Sequence, residues 1–72
     1  MSSPAQREFV ERLCRLAKDA GCELQEHDTA LGHSFTWRWP DGSFTDGPIS
    51  GERETALMAA CAAIQFQLLN HV

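Results

Sequence analysis

The segment His33-Ser34-Phe35-Thr36-Trp37-Arg38-Trp39 decides the reading of this chain. Aromatic residues alternate strictly with small or charged ones. This places Phe35, Trp37 and Trp39 on one side of a strand, and Ser34, Thr36 and Arg38 on the other. Such a half-buried strand needs neighbours, and the flanking sequence supplies turns for two. Upstream, a four-residue loop over residues 29–32 pairs Asp28 with His33, Leu24 with Trp37 and Glu23 with Arg38. Cys22 and Leu24 then share the aromatic side. Downstream, a tight Asp41-Gly42 turn is expected to pair Trp39 with Phe44 and to keep Phe44 inside. A three-residue loop over residues 40–42 would set Phe44 beside Arg38. It is rejected because a one-residue slip moves every side chain to the opposite face. Residues 22–46 therefore read as a three-stranded antiparallel meander.

Helices are expected on both flanks. Ser3, Pro4 and Gln6 form a capping box with proline at the first helical position. Phe9, Leu13, Leu16, Ala17 and Ala20 then fall on one stripe, widened by Val10, with charged residues opposite. Several charges are spaced as i,i+4 opposite pairs, among them Arg7–Glu11, Glu8–Arg12 and Arg15–Asp19. Gly21 ends the helix. After the meander, Ser50 is read as the cap of a second helix running to about Asn70, with Glu52 and Glu54 in its first turn. The outer sheet face, carrying Glu23, Gln25, His27, Ser34, Thr36 and Arg38, is polar, so both helices should cover the aromatic face. The expected fold is an α/β (α+β) two-layer domain, α-β-β-β-α, formed by residues 1–72 as one unit.

The second helix carries more apolar surface than one sheet can cover. Residues 55–70 contain no charge. Leu57, Cys61, Ile64 and Leu68 make one stripe, sufficient for the core. Met58, Ala62, Phe66 and Leu69 form another, about 100–180° around the helix, with Ala59 beside it. A surface helix of a monomer shows one such stripe, so the surplus points to self-association or a partner surface. Two-fold dimers are the commonest assembly, which makes a homodimer the simplest form. The first helix and Val72 are the alternative cover.

Composition narrows the function classes. Ten acids against six bases give a net charge of −4, and between Glu23 and Glu54 seven acids face only Arg38 and Arg53. Binding to a phosphate backbone relies on clustered lysine and arginine, which this chain lacks. The acidic set Asp41, Asp46, Glu52 and Glu54 would instead steer a basic partner surface. Cys14, Cys22 and Cys61 cannot all pair within one chain and form no C-x-x-C. The N-terminus has no apolar run suited to export, and reduced thiols in the cytoplasm are expected. No run approaches the roughly 18 apolar residues of a membrane span.

Catalysis and metal binding find little support. Cys22, His27, Asp28, His33 and His71 could supply ligands, but the strand register sends His27 to the outer face while Cys22 and His33 face inward, so no metal site is expected. No tyrosine, phosphate-cradling glycine loop or G-x-S-x-G is present, and no enzyme activity or cofactor is expected. Trp37 and Trp39, at period two in a central strand, read as core rather than as stacking platforms.

The order helix, three antiparallel strands, helix resembles the double-stranded RNA-binding fold. The stretch Thr55-Ala-Leu-Met-Ala-Ala-Cys-Ala-Ala63 is similar to that family's last helix. The resemblance implies a nucleic-acid-binding module, with lysines at the start of this helix clamping phosphates. This sequence has Gly51-Glu-Arg-Glu54 there, so the likeness reaches the topology and stops short of the phosphate contacts. The reading that fits more residues is a small acidic non-catalytic interaction domain, an accessory or inhibitor protein of bacterial or phage type. It would act through Met58, Ala62, Phe66 and Leu69.

Overall fold

The computed structural model describes residues 3–70. Helix α1 (Pro4–Asp19) is followed by strands β1 (Glu23–Thr29), β2 (Gly32–Arg38) and β3 (Phe44–Asp46), and by helix α2 (Arg53–Leu69). The sheet is antiparallel with order β1-β2-β3, and both helices pack on one face, giving the two-layer α-β-β-β-α fold expected.

Local chemistry sets the ends of α1. The Ser3 hydroxyl accepts the Gln6 N–H at 3.2 Å, and the Gln6 side chain accepts the Ser3 N–H at 3.1 Å, closing the capping box. At the other end Gly21 N–H donates to Lys18 O and Cys22 N–H to Ala17 O, both at 2.9 Å. These bonds satisfy the last helical carbonyls and turn the chain into β1. The i,i+4 charge pairs along α1 do not close among the described residues; the arginine that does pair is Arg53, with Glu26 across the fold.

The β1–β2 register is the one the alternation dictates. Glu23 lies opposite Arg38, Leu24 opposite Trp37 and Asp28 opposite His33, with the ladder continuing to Thr29 and Gly32. The β2–β3 register differs from expectation by one residue: Arg38 is opposite Phe44 and Trp37 opposite Thr45. Phe44 therefore lies on the outer face, 55% exposed, and Thr45 takes its place inside. Turn chemistry is the cause. Trp39 O accepts Gly42 N–H at 2.9 Å, Trp39 N–H donates to Ser43 O at 2.8 Å, and Gly42 has φ +91°. This is a three-residue loop with glycine in the left-handed position, which suits Pro40 just after Trp39. Asp41 reinforces it by accepting the Ser43 N–H and hydroxyl at 2.9 and 2.6 Å.

The core comprises Leu13 and Ala17 of α1, Cys22, Phe35, Trp37 and Trp39 of the meander, and Ala56, Ala60, Cys61 and Ile64 of α2. Burying each large apolar side chain contributes about 1.5–3 kcal/mol. Trp37 is enclosed completely, and its indole N–H has no acceptor among the described residues. The core face of α2 consists of Ala56, Ala60, Cys61 and Ile64, with Leu57 and Leu68 of the expected stripe partly buried at its flanks. Leu16 and Leu24, placed on inward faces from the sequence, are exposed, as is Ile49.

Ser50 does not cap α2. It bridges to β2, with its N–H donating to His33 O at 2.9 Å and its carbonyl accepting His33 N–H at 2.7 Å. The helix starts after Glu52, whose side chain makes no cap hydrogen bond.

Candidate interaction surface

With the core side of α2 fixed by Ala56, Ala60, Cys61 and Ile64, the opposite side follows from the helical repeat. Ala62, Phe66 and Leu69 stand there, Phe66 76% and Leu69 70% exposed. Thr55 and Gln65 are exposed beside them, and Ala59 is half-buried. Met58 is half-buried too, because it also lines an open cleft of about 710 Å³ between the N-terminal halves of the two helices, shared with Gln6, Val10, Glu11 and Leu57. Ala62, Phe66 and Leu69 thus form one strip, and Met58 sits at its edge, toward α1. His71 and Val72, the latter the sequence's alternative cover for this strip, lie outside the described residues.

The four acidic residues are not brought together. Asp41 is in the β2–β3 turn, and it lines a second hollow of about 430 Å³ with Trp39, Pro40 and Leu68, near the C-terminal end of α2. Asp46 is on β3, where it accepts the Thr36 hydroxyl at 2.9 Å. Glu52 and Glu54 are at the N-terminal end of α2, about 25 Å along the helix from its other end. Asp41 and Asp46 thus serve the hairpin, Glu52 accepts the Thr55 hydroxyl at 3.4 Å, and Glu52 and Glu54 lie at the N-terminal end of the apolar strip.

On the helix-facing side of β1 and β2 lies a polar cluster of which the sequence reading anticipated the Asp28–His33 pairing but not Glu26 and Arg53. Arg53 donates to both Glu26 carboxylate oxygens, at 2.7 and 3.1 Å, and its guanidinium lies 5.4 Å from the centre of the Phe35 ring. The hydrogen bond from Arg53 holds the Glu26 carboxyl below its ordinary range and raises the guanidinium in return. Next to it His33 Nδ1 is 2.6 Å from Asp28. Glu26, Asp28 and His33 place potential ligand atoms within 4.8 Å of one another. Arg53 occupies Glu26 and His33 engages Asp28, so the group is closed on itself by hydrogen bonds. The signal in the sequence was Glu26 and Asp28 on the inward phase of β1, the side on which α2 brings Arg53.

Of the three free thiols, Cys22 and Cys61 are buried and Cys14 half-buried. Burial, followed by the neighbouring Cys14 thiol, pushes Cys61 up to about 12. No helix among the described residues is long and apolar enough to cross a membrane. Comparison with protein families, curated proteins and solved structures finds no match to the chain.

Proposed function

We propose that the chain is a non-catalytic protein-interaction domain working through the uncovered side of α2. The observation that carries this reading is the exposure of Phe66 and Leu69 on a helix without charge from residue 55 to 70. Surface helices normally put polar groups on that side, and leaving two large side chains in water forgoes about 25 cal/mol for each Å² of apolar area. Anchors of this kind, aromatic or aliphatic and set among small residues, supply most of the energy of a protein interface. Glu52 and Glu54 at one end of the strip favour a contact that brings no further acid to that end. An accessory or inhibitory role in the cytoplasm accords with the acidic balance and with free rather than paired cysteines.

The test uses the intact chain as bait, compared with Phe66→Glu, which changes an exposed position and preserves the core. A specific protein retained by the wild type and released by the variant supports the reading. Identical retention by both removes it. One alternative is favoured by the order of elements, a duplex-RNA-binding module of the same topology. Saturable binding to a labelled duplex that weakens steeply with salt would put it first.

A further inference from the structure

The strip on α2 has a pattern that selects its occupant. Thr55, Ala59, Ala62, Phe66 and Leu69 recur at spacings of four, three, four and three, the seam along which two helices pack. Their sizes are graded, small in the N-terminal half and large in the C-terminal half. A parallel copy would set Phe66 against Phe66 and leave a gap over the alanines. An antiparallel copy sets each Phe66 over the Ala59 of the other chain and each Leu69 over its Thr55, with the two Ala62 methyl groups meeting near the axis.

Charge selects the same arrangement. Each chain carries −4, so two copies repel unless they meet on a neutral surface, and residues 55–70 are neutral. A parallel pair would bring Glu52 and Glu54 against their own counterparts and align the helix dipoles. An antiparallel pair separates these acids from their counterparts by about 25 Å and opposes the dipoles, and the half charge at the C-terminal end of the other helix repels them less than two further carboxylates would.

Resting on the reading of α2 as an interaction surface, we infer that its occupant is a second copy of this chain, paired antiparallel through α2 about a two-fold axis at Ala62. The contact is a single helix face, burying on the order of 1,000 Å² in total, the lower end for a specific interface. The dimer therefore dissociates on dilution through the micromolar range.

Sedimentation of the full chain from about 10 μM to about 1 mM gives the first readout. The wild type shifts from monomer to dimer across this range, and Phe66→Glu weakens the association at least about thirtyfold. Copper-phenanthroline oxidation gives the orientation, with the wild type as control for its native thiols. Ala62→Cys cross-links to itself, and Thr55→Cys cross-links to Leu69→Cys when the two are mixed. Leu69→Cys alone does not cross-link. Self-linking of Leu69→Cys in place of the mixed pair overturns the antiparallel arrangement alone. A wild type that stays monomeric throughout overturns the second copy as occupant, while the strip stays open to a different protein. A dimer indifferent to Phe66→Glu overturns both this inference and the reading beneath it.

Discussion

The indole nitrogen of Trp39 donates to the hydroxyl of Thr45 at 2.8 Å, across the β2–β3 hairpin and inside the core. Thr45 hands its own proton on to the side-chain oxygen of Gln67 on α2, so one hydroxyl ties the short edge strand to both its neighbour strand and the helix above. Thr45→Val keeps the shape and removes the acceptor of a buried donor. It should lower stability by about 1–3 kcal/mol in urea unfolding, whereas Thr45→Ser should recover most of the loss. Equal stability of the valine variant would mean that the hydroxyl is not what holds the strand.

The same hairpin makes a contrasting prediction at the next residue. Phe44 is the larger and more apolar side chain, yet it lies outside, opposite Arg38. Phe44→Ser should therefore cost less than about 1 kcal/mol, as for other exposed positions. A phenylalanine in the core would cost about 3–5 kcal/mol on truncation. The urea midpoints of the two variants decide between the registers.

These positions also mark where the sequence was legible. The β1–β2 register follows from the alternation over His33 to Trp39 and from the loop length, because no other phase keeps three aromatics on one side. The β2–β3 register was misjudged because the hydrophobicity of Phe44 was weighed above the turn preference of Pro40, Asp41 and Gly42, and local backbone geometry prevailed. On α2, the surplus of apolar surface was visible because it needs only a count of charges and stripes. Which alanines lie against the sheet was not visible, since that depends on how Phe35 and Trp37 fill the space beneath. Ser50 looked like a cap until a strand partner, His33, was within reach. The acidic residues, adjacent in the sequence, scatter because Asp41 and Asp46 belong to the hairpin while Glu52 and Glu54 belong to the helix.

Gly47 tests how closely the loop after β3 approaches α2. A Cβ added there would lie 2.8 Å from the Ala60 Cβ, 2.9 Å from the Ala60 Cα and 3.0 Å from Phe35 O. None of these is the end of a flexible side chain, so the loop or the helix must shift. Gly47→Ala is expected to destabilise by about 1–3 kcal/mol, read from thermal or urea unfolding. Gly51→Ala, with open space around its Cβ position, is the control.

The Glu26–Arg53 pair predicts a pH dependence with a definite sign. The hydrogen bond from Arg53 holds the folded-state pKa of Glu26 below its ordinary value of 4.5. Its contribution to stability is complete above that value and is lost as the pH falls through the lower folded-state value. Glu26→Gln should be less stable than the wild type at neutral pH, with the difference shrinking as both are acidified. Because the pair is exposed, added salt should also narrow the gap. A gap that is constant with pH would assign the effect of the substitution to packing.

Thiol reactivity reports on the α1–α2 contact. The thiolate is the form that alkylates, and Cys61, pushed up to about 12 chiefly by burial and further by the Cys14 thiol, is enclosed by the core. At about pH 8 only roughly one molecule in ten thousand would carry a Cys61 thiolate. Cys22 is also raised, by burial and by Asp41. Iodoacetamide on the folded protein should therefore label the half-buried Cys14 first, with Cys22 and Cys61 following only as denaturant opens the core. Peptide mass spectrometry along a urea series would show Cys61 labelling rise in step with global unfolding. Labelling of Cys61 well below that transition would mean that α1 lifts from α2 on its own, and the two helices would then belong to separate cooperative units.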